Sequence, residues 1–388
     1  MTAIPWREAL ERALVANGIR LSDLRDVYDS EGAPVPSWLV QLQEGPVEPL
    51  TPAQYLTLAD LSGVEADVLT GAVDPERTLS VAMRSRGQSA PGHVVERATH
   101  LLRAAARVMR LGEHATRRQR LTSVQRAVRP DPSAPDNPTR RAGEQAAFRF
   151  RAANGLANEP ILDLIGIVED HGVAVELSTD LPPGLHGVTA WDLAAEGWTA
   201  VMVVNASDLW TVQRYTLAHE FCHVMHEDRP DDLTTELGDA IASDPAEHRA
   251  EAFAAQLLIP RNGLRRYWTT ERLDQQDDGI AVAKVMWHFG VSRQAACIAL
   301  RDCPQIAWTE EDTRVVTESS VSALLVGAGL WDEWVEAEAD HHGGAPSAWL
   351  SDATSDLFLS GQLPVENYAT VVSLPAEEAL ESLTGMAR

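Results

Sequence analysis

Residues 219–223 read HEFCH, inside the longer run RYTLAHEFCH at 214–223. Two histidines four apart bracket a glutamate, the HExxH pattern of zinc hydrolases. Residues i and i+4 lie one above the other on a helical face, so His219 and His223 can offer two imidazole nitrogens to one ion. Glu220 lies beside the first of them, where it could take a proton from water activated at the metal. Three matched positions in five can arise by chance, so the flanking sequence must carry the assignment.

The flanks favour it. WTAVMVVN at 198–205 is a short valine-rich run that reads as a buried or half-buried strand. An extended substrate could pair with it as an added strand. LWTVQRYTLAHEFCHVMH at 209–226 then places apolar residues roughly at helical spacing. A zinc site needs a third protein ligand and an open position. Six residues after His223 stands Arg229, which closes the route to a third histidine there. Farther on, AEHRAEAFAAQLLIP at 246–260 is an amphipathic helical stretch ending before proline. It carries Glu247 and Glu251, again four apart, and a carboxylate from this second helix would complete a His, His, Glu site.

With these segments on the page, residues 148–260 resemble the ImmA/IrrE metallopeptidases. The resemblance rests on FRFRAANGLANEP, a helix then a strand in ILDLIGIVEDHGVAVEL, a glycine-containing turn in LHGVTAWD, the strand ending at Asn205, RYTLAHEFCH, and the spacing E-x-x-A-x-x-FAAxLLxP. It implies an α+β fold, mostly helical and multidomain, with a zincin-like (gluzincin) core carrying a small sheet. It implies one zinc per chain held by His219, His223 and Glu247, with Glu220 as the catalytic base passing a proton to the leaving nitrogen. Glu251 stands where the family usually has asparagine, which makes it the second candidate ligand. Cys222 stands where the family has a small residue and reads as an inert buried thiol. His226 reads as a packing or surface residue. The activity implied is site-specific endopeptidase cleavage of a protein, typically a transcriptional repressor, in a stress or mobile-element response. Tyr215, His186 and Tyr267 are the candidates for stabilising an oxyanion, and the sequence does not choose among them.

Composition sets outer limits. The chain of 388 residues is long enough for two or three domains with real cores. Three cysteines give no disulfide framework, the opening MTAIPWREAL has no signal-peptide pattern, and SALLVGAGLW at 322–331 is about half a membrane span. A cytoplasmic location without membrane contact is expected. The net charge of −25 disfavours non-specific nucleic-acid binding by the whole molecule.

Residues 1–76 read as a module of short helices: WREALERALVAN, SDLRDVY, PSWLVQLQEG, a helix opened by Thr51 and Pro52, and EADVLTG. The pattern resembles the Cro/C1-type helix-turn-helix (XRE) family, above all in LADLSGVEADVLTG, which would make 37–43 the recognition helix. The module holds four arginines against thirteen acids, and that helix carries no Lys or Arg. Weak DNA contact or protein contact are therefore both open for it. Residues 77–126 read as a basic helical segment, by default a solvated charged helix, with packing on the acidic module, contact with nucleic acid, or both as the alternatives. Residues 127–143 read as a proline-rich linker. The core is expected at 144–304, followed by an acidic helical region at 305–388. Two further readings survive the sequence. One is a DNA-binding regulator whose peptidase-like domain senses a signal. The other is a non-catalytic zinc-containing interaction protein with a closed site, with Glu251 or Cys222 as fourth ligand.

Overall fold

The fold is taken from a computed structural model of the chain. It describes residues 6–16, 19–22, 24, 35–44, 49–62, 64, 66–70, 79–85, 90–111, 120, 122, 123, 125, 139–192, 199–226 and 245–386. The linker at 127–138 and most of the SDLRDVY helix lie outside these residues.

The N-terminal residues build helices α1 (Trp6–Ala16), α2 (Ser37–Glu44), α3 (Pro52–Ser62) and α4 (Ala66–Leu69). They enclose their own apolar core, with Leu10, Leu14, Leu39, Leu42, Leu58 and Leu69 buried. Thr51 and Gln54 cap α3 reciprocally: the Thr51 hydroxyl accepts from the Gln54 N–H at 3.3 Å, and Gln54 Oε1 accepts from the Thr51 N–H at 2.8 Å.

The rest of the described chain is organised around one sheet. Its strands are β1 (Leu79–Ser85), β2 (Val173–Ser178), β3 (Leu185–Asp192) and β4 (Thr199–Asn205), in the order β1-β3-β4-β2. β2 runs parallel to β4, while β3 runs antiparallel to both β4 and β1. Between β1 and β2 come α5 (Gly92–Leu111), α6 (Thr139–Ala153) and α7 (Leu164–Asp170). After β4 come α8 (Trp210–His226), α9 (Pro245–Leu258), α10 (Arg261–Thr270), a 3-10 turn at Leu273–Gln275, α11 (Asp278–Phe289) and α12 (Arg293–Arg301). The acidic region continues as α13 (Glu310–Glu318), α14 (Val321–Ala328), α15 (Trp331–His341), α16 (Ala348–Leu359), α17 (Val365–Val372) and α18 (Ala376–Met386).

Both faces of the sheet are covered, which is why β4 is buried at every residue and reads as a continuous apolar run. Val173, Val175, Trp191, Ala200, Met202 and Val204 face a core shared with α6, α8 and α9. On the other face Ala174, Val188, Ala190, Val201 and Val203 meet α5 and the Trp349 end of α16.

This arrangement changes four expectations. The basic segment at 77–126 is not set apart from the core: β1 completes the sheet and α5 covers one face of it, burying Leu101, Leu102, Ala105 and Val108. The stretch at 139–143 is not linker, because Thr139 already opens α6. LHGVTAWD is a strand rather than a turn. Its glycine serves close approach, since a Cβ on Gly187 would lie 2.9 Å from Thr216 Cγ2 of α8. Finally, β4 cannot accept a substrate strand, because it lies between β3 and β2.

The acidic region is fastened to the sheet as well. Trp349 Nε1 donates to the Val173 carbonyl at 3.2 Å, Leu177 and Ala345 form an antiparallel bridge, and the buried Glu169 carboxylate accepts from Ser347 Oγ and the Trp349 N–H. Arg97 of α5 pairs with Glu176 of β2 and donates to the carbonyls of Thr370 and Val371.

Helix α9 is placed mainly by α6. Gly143 lets the two backbones touch, for a Cβ there would lie 2.1 Å from the Arg249 carbonyl oxygen and 2.9 Å from the Phe253 nitrogen. At the far end of α6, buried Arg151 donates to the carbonyls of Ala157, at 2.9 Å, and of Leu257 at the end of α9. Phe150 packs edge-on against Phe221 of α8 and Phe253 of α9, with centroids 5.4 and 6.2 Å apart. Neither backbone can retreat without opening that cluster. Gly143→Ala should therefore cost about 1–3 kcal/mol of stability, as overpacked cores do, read from the urea midpoint. An unchanged midpoint would mean that the helices do not meet this closely.

Candidate metal centre

Helix α8 is buried along most of its length, because it lies between the sheet and the outer helices. Arg214, two turns before the second histidine, anchors it. Its guanidinium donates to the carbonyls of Ile161 at 2.6 Å and Gly290 at 3.1 Å. Burial lowers this guanidinium to about 10, which leaves it charged at neutral pH. Gly290 carries a positive φ of 64° and a Cβ there would meet Arg214 Nε at 2.8 Å, so the anchor depends on glycine. The HEFCH stretch then divides by helical geometry. Phe221, Cys222, Val224 and Met225 enter the main core, while His219 and His223 share another face.

That face meets Glu247 at the start of α9. The two histidine Nε2 atoms lie 3.0 Å apart, and each is 3.2 Å from one oxygen of the Glu247 carboxylate. His219 is completely buried, and the Glu247 side chain keeps 27 % exposure. Burial pushes the Glu247 carboxyl up, but hydrogen bonds and charge from His219 and His223 outweigh it and hold the group well below the usual carboxylate range. Glu247 is thus an anion at neutral pH.

The donor set fits a divalent cation. The three donor atoms lie within 4.8 Å of one another, and among the described residues they form the one such His/Cys/Asp/Glu group. The two Nε2 atoms lie 3.0 Å apart, and with the carboxylate they converge on one point, an arrangement that a shared cation could take up when both imidazoles are neutral. Tetrahedral zinc with ligands at about 2.0–2.1 Å sets its donors roughly 3.3 Å apart. The observed separations of 3.0, 3.2 and 3.2 Å are close to that.

Glu220, next to His219 in sequence, lies outside the three-donor group and reaches the sheet. It is 2 % exposed, and its Oε2 accepts from Thr189 Oγ1 of β3 at 2.8 Å. One oxygen is thus held by Thr189, and the other, Oε1, makes no hydrogen bond among the described residues. Thr189 is the contributor that the sequence did not suggest. Only the alternation of β3, which turns 189 toward α8 while 188 and 190 face α5, gives it away.

The remaining candidates separate. Glu251 is exposed and lies outside the donor group. Cys222 is buried in the core with its Sγ 3.5 Å from His226 Nδ1, and it too stays outside the group. His226 Nδ1 also contacts the Cys222 carbonyl at 2.9 Å. His186 pairs with Asp208 at 2.7 Å. Tyr267 stacks on His288 with centroids 3.7 Å apart, and burial pushes its hydroxyl up to about 12. Tyr215 lies beside the centre, its ring 6.3 Å from that of His219.

Two helices bringing His, His and Glu together, with a second glutamate poised beside them, define a metal-hydrolase type of centre. Comparison with known families agrees. Residues 168–301 match the Peptidase_M78 family model, described as the IrrE N-terminal-like domain, which supports the ImmA/IrrE family and a metallopeptidase-type function. No curated protein and no solved structure matches the chain. No described helix is long and apolar enough to cross a membrane.

The geometry makes a metal prediction. The purified chain should take up about one zinc, and the His219→Ala/His223→Ala pair should abolish that uptake. Glu247→Gln should weaken it far more than Glu251→Gln in a competition titration with a chromophoric chelator. Full zinc retention in the double variant, or the reverse order of the glutamates, would contradict the placement.

Proposed function

We propose that this chain is a zinc-dependent site-specific endopeptidase whose substrate is a transcriptional repressor or another regulatory protein, acting in a stress or mobile-element response. The observation that carries the reading is the convergence of His219, His223 and Glu247 beside a buried Glu220 oriented by Thr189. His219, His223 and Glu247 would hold the ion. When bound, zinc supplies Lewis acidity toward a peptide carbonyl and toward water. Glu220 accepts the proton of the attacking water at Oε1 and delivers it to the leaving nitrogen. Thr189 keeps the other oxygen occupied, so the carboxylate cannot swing away during the transfer. The buried surroundings keep bulk water from competing for that proton.

Within this reading the N-terminal module selects a partner or a location. Its closed apolar core supports an independent unit, and its acidity supports weak, salt-sensitive DNA contact at most.

Replacing Glu220 by Gln separates catalysis from architecture. The variant should keep fold and zinc while cleavage of a co-expressed repressor falls by about 10²–10⁴. Fragments are followed by mass spectrometry, with repressors from adjacent genes as candidates. Equal fragmentation by both chains would remove Glu220 from the chemistry. No fragmentation of any candidate by the zinc-loaded wild type would favour a binding role.

A further inference from the structure

The strand that supplies Thr189 has its own outer edge, and the chain fills that edge itself. β1 runs antiparallel along β3 from Leu79 opposite Asp192 to Arg84 opposite Gly187, with a register shift between Arg84 and Ser85. Ala82 lies opposite Thr189, the residue hydrogen-bonded to Glu220. Strand β3 hydrogen-bonds the proposed catalytic glutamate through Thr189, and β1 pairs along its other side. An extended peptide reaching this centre by strand addition has one edge available near Glu220, and residues 79–85 already take its hydrogen bonds. The centre is correspondingly enclosed, with His219 fully buried and Glu220 2 % exposed.

We propose that the outer edge of β3 is the docking edge for an extended substrate peptide, and that residues 79–85 occupy it in cis as a competitor that must leave before a substrate binds. The proposal rests on the endopeptidase reading for the word substrate, but the docking edge itself is tested without cleavage. Intramolecular attachment explains why an edge built to bind peptides would not capture them indiscriminately. A tethered strand competes at an effective concentration on the order of millimolar, so a peptide added at micromolar levels loses to it. Residues 79–85 follow the N-terminal module directly in sequence. Engagement of that module by a partner thus has a short covalent route to the strand that guards the centre.

The test uses full-length, zinc-loaded protein in the Glu220→Gln background, so that no cleavage occurs. The probe is a fluorescent synthetic peptide with the sequence RTLSVAMRSRGQ of residues 77–88, and a scrambled peptide of equal charge serves as control. Adjacent strand residues point their N–H groups to opposite sides, so Val81→Pro/Ala82→Pro must remove one ladder bond to β3 whichever way the strand lies. Probe affinity by fluorescence anisotropy should rise at least about tenfold in that variant. Amide exchange over β3 should accelerate while α8 stays protected, which reports release of the strand rather than unfolding. The converse variant, Val81→Cys/Ala190→Cys, joins residues that lie opposite each other. Its oxidised form should bind no probe, and reduction should restore wild-type binding. Probe affinity within twofold among wild type, proline variant and oxidised disulfide variant would overturn the proposal, as would binding of the scrambled peptide equal to that of the probe. Should the proline variant fail to fold, the oxidised and reduced forms of the cysteine pair decide alone. Displacement in this background, together with no cleavage of candidate repressors by the zinc-loaded wild type, would leave the docking edge standing and remove the peptidase reading. Cleavage without displacement would do the opposite.

Discussion

Three donor groups from two helices are brought to one point: two imidazole nitrogens 3.0 Å apart and a carboxylate 3.2 Å from each. In solution such a cluster would fall apart. Here it persists because the elements carrying it are fixed by contacts elsewhere. Helix α8 is held by Arg214, and α9 is held by its close packing on α6 at Gly143 and by the aromatic cluster of Phe150, Phe221 and Phe253. The fold supplies the convergence of donors, which suits a shared cation. Arrangement of donors by a rigid shell is also what keeps Glu220 out of the donor set, since Thr189 draws it to the sheet.

The sheet has a second consequence. With α5 and α16 on one face and α8 on the other, both central strands are sequestered, and the positions open to another chain are edges. One edge is β2, bridged to Ala345; the other is β1, which pairs along β3. The N-terminal portion of the chain is therefore not an appendage to the core. It contributes a strand that pairs with β3, the strand whose Thr189 holds Glu220.

Much of the centre was legible in sequence because its information is local. HEFCH fixes which residues share a helical face, while the preference for Glu247 over Glu251 came from the resemblance through FAAQLLIP rather than from spacing alone. β4 was legible from its valine run and α3 from its Thr-Pro opening. What was not legible is non-local. Nothing within 79–85 announces that it pairs with residues a hundred positions on, and a basic helix at 92–111 looks solvated until the sheet that buries its apolar side is known. Gly187 suggested a turn because glycine marks turns and close approaches alike, and only the neighbour at Thr216 distinguishes them. Thr189 was hidden for a similar reason, as its role exists only once β3 lies against α8.

The central claim is that His219, His223 and Glu247 hold one zinc with a position left open for chemistry. X-ray absorption at the zinc edge of the loaded full-length protein addresses it most directly. The account predicts a shell of nitrogen and oxygen at about 2.0–2.1 Å, with the outer scattering of two imidazoles and no sulfur. A sulfur contribution near 2.3 Å would put Cys222 on the metal and contradict the account, as would a first shell lacking imidazole.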